Sequence, residues 1–409
     1  MDPADVVIVG GGIAGSALAA ALASAGLDVL LLERQTTFRD KVRGEYMHPW
    51  GVAEAIRLGV EGVLFAAGGG VCTGFIPYTE GLEPSMAESL AISLVGMLPG
   101  VAGAINCGHP EASDALNRHA GARGARVLRG VGDVEVSPGP APSVQYEFDG
   151  NLVDVACRIV VGADGRQSTV RRRLGIELEQ RFESTATLGG LLVHTDDWTS
   201  DMSLSGTAGD AHYLAFPRPG GFVRLYIACL PTADTTGPDK ERRLRDAFRV
   251  ACLPMGETLA NAESAGPCAF YQGVDAWTAW PIAEGVVLIG DAAGWNDPII
   301  GEGLSIAMRD ARTVADVLLA GPDWSPAAFA GYAAERNERM RRLRLGAHVN
   351  TQVSCDFRPA GLARRAAFNE DAAVNPLTGG IIGALFAGPE VVPAAVFEPE
   401  NIERVLSLA

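Results

Sequence analysis

Basic residues are scarce in this sequence, and lysine is almost absent. The 409 residues include 33 Lys and Arg against 49 Asp and Glu, so the formal net charge is -16. Only Lys41 and Lys240 are lysines. Nucleic acids and anionic membrane surfaces attract basic proteins, so this charge balance argues against both as partners.

Long apolar runs and a recognisable leader are also missing. Residues 1–5 carry no positive charge of the kind that opens a secretory signal. The longest apolar stretch near the C-terminus, residues 377–396, is interrupted by Pro389, Glu390 and Pro393. A bilayer span needs about 20 apolar residues, so we expect no membrane insertion and a cytoplasmic protein.

The seven cysteines are odd in number, scattered, and never spaced as CxxC or CxxxxC. This spacing argues against a structural zinc site and against the disulfide-reductase branch of flavoproteins, and it predicts reduced thiols and no metal. A second GxGxxG after a strand is also lacking, so a second permanently bound dinucleotide is not expected.

A dinucleotide-binding βαβ unit opens the sequence. A short apolar strand at 6–9 leads through Gly10, Gly12 and Gly15 into an alanine-rich helix at 13–25, and a second strand ends at Glu33. Glycines allow the tight turn and the close approach of a pyrophosphate, while the acid can accept hydrogen bonds from a ribose diol. A carboxylate would repel a 2′-phosphate, so NADP is not expected here, although NAD and FAD both fit.

Two later motifs favour FAD. Asp164 in Ala-Asp-Gly and Asp291 in Gly-Asp each follow an apolar run that predicts a parallel strand. Ligands bind at the carboxyl ends of such strands, where an Asp can bind a ribityl hydroxyl. The segment from Pro298 to Gly303 would begin a long helix whose dipole stabilises negative charge on a reduced flavin. Each motif alone could be an ordinary turn, whereas together they favour one FAD.

The fold class predicted is α/β, with an FAD-binding, doubly wound domain of the glutathione-reductase type and an inserted antiparallel-sheet substrate domain. Residues 1–70, 100–180 and 281–345 would form the discontinuous FAD domain. Residues 71–99 and 181–280 alternate like an antiparallel sheet, interrupted by a helix near 239–252, and would form the substrate domain. Residues 346–409 would form a C-terminal helical segment.

Three segments resemble the para-hydroxybenzoate hydroxylase-like superfamily of FAD-dependent monooxygenases. They are VVIVGGGIAGSALAAALASAGLDVLLLER at 6–34, VVGADGRQSTVRRRLGI at 160–176 and VVLIGDAAGWNDPIIGEGLSIAMRDA at 286–311. The motifs and this resemblance imply a cofactor-binding set of Gly10, Gly12, Ile13, Ala14, Gly15, Glu33, Arg34, Arg43, Val134, Asp164, Asp291, Pro298, Gly301, Gly303 and Leu304.

Several positions depart from the pattern of that superfamily. His109 stands where a flavin-contacting arginine is usual, while Gly294, Glu302 and Ser305 replace a common histidine, glutamine and asparagine. The segments KVRGE and GEGLSIAM are similar to the related geranylgeranyl reductase branch. The spacing from Trp277 to Ile282 does not match the Trp-x-Trp-x-Ile-Pro motif of the related flavin halogenases.

The resemblance implies that NADH or NADPH, visiting transiently, reduces FAD, which reacts with O2 to give a C4a-hydroperoxide. A small aromatic or polycyclic substrate, as in natural product biosynthesis, would then be oxygenated by a monomer or homodimer. His48 and Tyr213 are the candidates for a proton relay. Other substrate-side candidates are Tyr46, His212, Arg218, Arg224, Tyr226, Trp295, Asn296 and Asp297, although for each candidate taken alone ordinary core or surface packing is favoured over a substrate role. A C=C reductase and a non-catalytic FAD-binding protein remain alternatives.

Overall fold

The computed structural model describes residues 2–180 and 183–408, apart from the side chains of 183–185 and 233. Its strands alternate with helices in the first third and cluster in the middle of the chain. In order they are β1 (Ala4–Val9), β2 (Val29–Glu33), β3 (Tyr46–Met47), β4 (Gly70–Cys72), β5 (Gly74–Pro77), β6 (Ile92–Ser93), β7 (Ala104–Asn106), β8 (Arg126–Arg129), β9 (Val134–Ser137), β10 (Ser143–Phe148), β11 (Asn151–Gly162), β12 (Glu183–His194), β13 (Ser203–Ala208), β14 (Ala211–Arg218), β15 (Phe222–Cys229), β16 (Glu263–Ser264), β17 (Ala269–Val274), β18 (Ala276–Trp277), β19 (Ile282–Ala283), β20 (Val286–Leu288) and β21 (Gly294–Trp295).

The helices dominate the C-terminal third. They are α1 (Ile13–Ser24), α2 (Pro49–Arg57), α3 (Glu61–Ala66), α4 (Pro84–Ser89), α5 (His109–Ala122), α6 (Thr169–Arg173), α7 (Lys240–Asp246), α8 (Gly256–Asn261), α9 (Gly303–Ala320), α10 (Ala330–Ser354), α11 (Pro359–Val374), α12 (Pro376–Ala387) and α13 (Pro399–Leu406). None of these helices is both long and apolar enough to cross a membrane.

A parallel sheet forms the centre of the first domain. Its order is β19-β20-β11-β1-β2-β8, and all neighbours except β19 and β20 run parallel. Every residue of β2 is buried, as expected for a parallel strand covered on both faces. Helices α1, α5 and α9 pack together on one face, and the antiparallel β9-β10-β11 strands lie on the other. The predicted α/β class with an FAD-type parallel sheet is therefore confirmed.

A sheet that is antiparallel except for the parallel pair β13 and β5 forms the second layer of the molecule. Its order is β16-β12-β15-β14-β13-β5-β6, with β17 also paired to β12, so residues 74–93 join residues 183–274. One face packs against α7 and α8 around Phe248 and Leu244. The other face looks toward the parallel sheet and the C-terminal helices, and this is the inserted sheet that the sequence predicts.

Local predictions differ from the structure where short elements are involved. The helix predicted at 239–252 covers only Lys240–Asp246, and a second short helix, α8, begins at Gly256, two residues after Pro254. Strands β13 and β17 and helix α4 have no counterpart in the sequence reading. The domain boundaries remain a prediction, and the one at 180/181 falls beside residues 181 and 182, which lie outside the described residues.

Candidate functional site

A cavity of about 1380 Å³ lies between the parallel sheet, the antiparallel sheet and the C-terminal helices. All three sequence motifs contribute to its wall. Of the predicted cofactor-binding set, every residue lines the cavity except Gly15. Motifs separated by more than 250 residues thus meet at one concave surface, as the carboxyl ends of parallel strands should.

The first glycine turn has a different requirement at each position. Gly10 has a φ of +109°, and a Cβ there would lie 2.4 Å from the Ala163 carbonyl oxygen. A Cβ at Gly15 would lie 2.0 Å from the Gly10 oxygen, so Gly15 allows helix α1 to pack against the turn. A Cβ at Gly12 would meet nothing within 4 Å and would project into open space. Only Gly12 therefore leaves room for a ligand, as a pyrophosphate requires.

Glu33 is buried beside this turn, and its carboxylate is held by backbone donors. Its two oxygens accept hydrogen bonds from Gly11 N and Gln35 N, each at 2.7 Å. Asn117, on α5, donates to the Gly11 oxygen at 2.9 Å and steadies the same turn. Asn117 is not predictable from the sequence, because nothing in the residues around it indicates a partner 106 residues away.

The two aspartates of the later motifs differ in their partners. Asp164 accepts from Thr169 N at 2.6 Å through Oδ2, while its Oδ1 is buried without a hydrogen-bond partner. Asp291 pairs with Arg166 at 3.1 Å and is partly exposed to the cavity. Arg43, whose guanidinium lies 5.1 Å from the Tyr271 ring centre, also lines this part of the wall. Carboxylates at strand ends are suited to accept ribityl hydroxyls.

A buried ion-pair cluster supports the Gly-Asp motif from behind. Asp310 accepts from Gly290 N and pairs with Arg336 at 2.9 Å and Arg339 at 2.6 Å. Arg336 also donates to the carbonyl oxygens of Gly290, Ala293 and Gly294. Burial alone would raise the pKa of Asp310, but the two arginines lower it below its usual value. These residues are not predictable from the sequence, because α10 contains many arginines and only the folded structure shows that two of them, Arg336 and Arg339, pair with Asp310.

The segment from Asp297 to α9 forms a tight turn at the predicted flavin position. Asp297 accepts from Ile299 N at 3.0 Å, and Gly301 is left-handed with a φ of +66°. Beneath the turn, buried Glu302 accepts from Trp50 Nε1 at 3.0 Å, while its Oε1 has no hydrogen-bond partner. Burial raises the pKa of Glu302 well above its usual value, because it disfavours the charged form of the carboxyl group.

His48 lies next to Glu302 and is neutral near pH 7, because burial lowers its pKa to about 4. Its Nε2 is 2.8 Å from the Ile300 carbonyl oxygen, which can only accept. Nε2 therefore carries the proton, and Nδ1 keeps a lone pair. Nδ1 is buried and without a partner, and His48 lines the cavity. This geometry provides a hydrogen-bond acceptor next to the predicted flavin position.

Four aromatic side chains, which we call the aromatic cluster, line the cavity beyond His48: Tyr46, Phe75, Phe216 and Phe386. The Tyr46 ring lies 5.7 Å from Phe75 and 5.2 Å from Phe216, and Phe386 lies 5.9 Å from Phe75. The Tyr46 hydroxyl is buried and has no hydrogen-bond partner. An apolar, edge-rich wall of this kind suits a flat aromatic ligand.

Alternate side chains of β14 face opposite sides of the sheet, so only some of the substrate-side candidates face the cavity. His212, Leu214 and Phe216 line the cavity, together with Tyr226 on β15. Tyr213 points to the opposite face, where its hydroxyl donates to the Tyr78 oxygen at 2.7 Å and packs against Phe248. This placement speaks against Tyr213 as a proton donor to substrate, because one step along a strand reverses the side-chain direction.

Of the remaining candidates, two arginines are paired inside the protein, whereas two cavity-lining residues have polar atoms without a hydrogen-bond partner. Arg218 and Arg224 both pair with the buried carboxylate of Glu45, and Arg224 also pairs with Asp40, so these charges are used inside the protein. Trp295 and Asn296 line the cavity, with the indole nitrogen and both amide atoms buried and unpartnered. Buried polar atoms are rarely left unsatisfied, so this wall fits an extended polar ligand such as FAD.

Comparison with known proteins supports this assignment. Residues 3–344 match the FAD binding domain family. The menaquinone reductase of Mycobacterium tuberculosis is 29% identical over 344 residues, covering 78% of this chain and 77% of the reductase. The rifampicin monooxygenase of Streptomyces venezuelae is 28% identical over 348 residues, covering 81% and 68%.

The fold is shared with solved flavoprotein structures. The p-nitrophenol 4-monooxygenase PnpA of Pseudomonas putida superposes with a TM-score of 0.77 over 97% of this chain and 99% of its own, at 18% identity. The buried unpartnered groups, the open side of Gly12 and the matched family agree on the cofactor. The chain belongs to the FAD binding domain family and is an FAD-dependent oxidoreductase of the para-hydroxybenzoate hydroxylase-like superfamily.

Proposed function

We propose that this enzyme is a monooxygenase that inserts one oxygen atom of O2 into an aromatic or polycyclic substrate, with NADH or NADPH as the reductant. The observation that carries the proposal is the aromatic cluster, which lies directly beyond His48 and the Asp297–Gly301 turn. Its rings would hold a flat substrate against the flavin edge. The resemblance to rifampicin monooxygenase supports the same reaction class.

The fifteen predicted cofactor residues would hold FAD, which supplies electron transfer and oxygen activation when bound. Glu33 would bind the ribose, Asp291 the ribityl chain, and Pro298 with Gly301 to Leu304 the ring. His48 Nδ1 would accept the proton of a substrate hydroxyl, because its lone pair is free at neutral pH.

Exclusion of water is the second contribution of the chain. Phe75, Phe216 and Phe386 come from β5, β14 and α12, so three separate segments close around one space. An apolar enclosure strengthens the few hydrogen bonds inside it and protects reactive species from solvent. The enzyme would therefore need the C-terminal helices for coupling between NAD(P)H oxidation and product formation.

Reduction of a quinone or a C=C bond is the second candidate function. It is favoured by the resemblance to menaquinone reductase and by the extension of the cavity past the aromatic cluster to α11 and α12. A long apolar arm would suit a prenylated substrate as well as a polycyclic one. Both reactions require the same reduced FAD, so the fate of O2 separates them.

The deciding experiment supplies the FAD-loaded enzyme with NADPH or NADH, 18O2 and a panel of phenols, quinolones and quinones. The proposal expects substrate-stimulated NAD(P)H oxidation and one 18O atom in the product. Product formed without label, or formed equally well without O2, would instead establish the reductase. His48→Gln serves as the matched variant, and we expect it to retain FAD and lose hydroxylation of phenols specifically.

A further inference from the structure

The cavity has a polar end remote from the aromatic cluster, which we call the distal end. It is formed by Thr207 on β13, His212 on β14 and Arg365 on α11. His212 is four residues from Phe216 on the same face of β14, so the distal end lies about 13 Å along the strand from the aromatic cluster. Leu214 lines the cavity between them. A ligand reaching both ends would be elongated.

Arg365 is a buried cation that forms no ion pair with a carboxylate of the described residues. Its side chain is only 8% exposed, and its Nε has no hydrogen-bond partner. Nη1 donates to the backbone oxygen of Asp356 at 2.9 Å, but no carboxylate among the described residues forms an ion pair with the guanidinium. The carboxylate of Asp356 pairs instead with Arg358 and Arg364. A buried charge left in this state is costly unless a ligand completes it.

The other side chains of the distal end are uncharged. The carboxylates of Glu80 and Asp356, which do not line the cavity, act on Arg365 through space, but burial has the larger effect and lowers its pKa below the usual value. His212 Nδ1 lies 2.9 Å from Thr207 Oγ1, whose own proton goes to the Ser354 oxygen. Nδ1 must therefore be the donor in this chain of hydrogen bonds. Burial first, and then the charge of Arg365, lower the pKa of His212 to about 4, so the ring is neutral. Arg365 is thus the charged group of this end.

We propose that Arg365 binds an anionic oxygen group of the substrate, a carboxylate, at the end of the molecule that is remote from the flavin. Its free Nε and the guanidinium edge can donate to a carboxylate, and Asn369, one turn later on α11, lines the same space. The orientation of the substrate rests on the proposed function, whereas the anion site itself does not. The preferred substrate is therefore an aromatic acid of roughly two or three fused rings, because the two ends of the cavity lie about 13 Å apart along β14.

The test compares two probes of nearly equal shape, 2-naphthoate and its neutral analogue 2-naphthamide, by calorimetric titration of the FAD-loaded enzyme without NAD(P)H. The wild-type enzyme should bind the carboxylate roughly 10- to 100-fold more tightly than the amide, as a desolvated charge-assisted pair implies. Arg365→Gln should abolish this preference and leave amide binding within about threefold, and Arg365→Lys should keep part of it.

Arg358→Gln is the matched control, because it removes a cation from the same helix end outside the cavity. It should leave the preference unchanged, and thermal unfolding of each variant will show that the fold is intact. Equal affinity of the wild type for the two probes, no saturable binding of the carboxylate, or an equal loss in Arg358→Gln would overturn the proposal. Carboxylate preference without 18O incorporation would contradict only the monooxygenase proposal.

Discussion

At the nucleotide end of the cavity, backbone groups from short glycine-containing segments form the wall, whereas at the distal end single side chains from distant elements form it. Gly10 and Gly12 serve this wall because they have no Cβ atom. The Glu33 carboxylate is held by backbone N–H groups that lie only 22 and 2 residues away in the sequence. His212 and Arg365 meet although 153 residues separate them. The comparison teaches that cofactor binding is specified locally, while substrate binding depends on packing of the whole molecule.

Substitutions in the glycine turn, at the nucleotide end of the cavity, should cause the largest losses of stability and of FAD binding. Gly15→Ala places a Cβ 2.0 Å from the Gly10 oxygen, so we expect a loss of at least about 3 kcal/mol of stability and no retained flavin. Gly12→Ala has room in the folded chain, so it should fold normally and bind FAD roughly 10- to 100-fold more weakly. Flavin absorbance and circular dichroism melting distinguish the two.

Gly62→Ala is the control for that pair, since a Cβ there also meets nothing within 4 Å and lies in α3 away from the cavity. It should keep full FAD content and equal or slightly higher stability, because alanine favours helix. If Gly12→Ala retains FAD with the wild-type affinity, the predicted approach of the pyrophosphate at Gly12 is wrong.

Asp310→Asn should cause the next largest loss of stability, because it removes the ion pairs that hold the Gly-Asp motif in place. It leaves Arg336 and Arg339 buried without their shared carboxylate, so we expect about 3 to 5 kcal/mol of lost stability in urea unfolding. FAD should be released more readily, because Arg336 holds three carbonyl groups of the motif. The exposed pair Arg242–Asp239 provides a control: Arg242→Gln should cost under about 1 kcal/mol. Similar losses in both variants would contradict the buried cluster.

Low pH should lower the stability of the protein through His48, which lies between the nucleotide end and the distal end of the cavity. Its pKa of about 4 in the fold is below that of an unfolded histidine, so the unfolded state binds more protons between pH 6.5 and 4. Stability is therefore full above this window and falls as pH falls through it, by up to about 3 kcal/mol for this group. Urea unfolding from pH 7.5 to 4 should show a shallower dependence in His48→Gln. An unchanged slope would mean that the pKa of His48 is the same in the folded and unfolded states.

The aromatic cluster should give a smaller effect that is confined to the substrate side. Phe386→Ala opens the wall between Phe75 and α12, so 2-naphthoate binding should weaken about tenfold while FAD affinity stays the same. Tyr213→Phe sharpens the comparison from the opposite face of β14. It should cost about 1 kcal/mol through the lost bond to the Tyr78 oxygen and leave naphthoate binding unchanged. Weaker naphthoate binding in Tyr213→Phe would restore Tyr213 as a candidate.

The sequence by itself determined the cofactor and the class of the fold. A turn such as Gly10 to Gly15 followed by Glu33 needs only a strand, a helix and a second strand, and all three follow from residues within one local segment. The same holds for Asp164 and Asp291, because each ends an apolar strand and parallel strands end at a common edge. These are short-range rules, and in the structure the three motifs line one cavity.

Only the tertiary structure decided which side chains face the substrate. Alternation along β14 placed His212 in the cavity and Tyr213 behind the sheet, and the sequence fragment AHYLAF is compatible with either register. The burial of Arg365 without an ion pair to a carboxylate of the described residues, like the choice of Arg336 and Arg339 among the many arginines of α10, follows from contacts between distant segments. Such contacts depend on how whole elements pack, and a pattern read along one segment does not contain them.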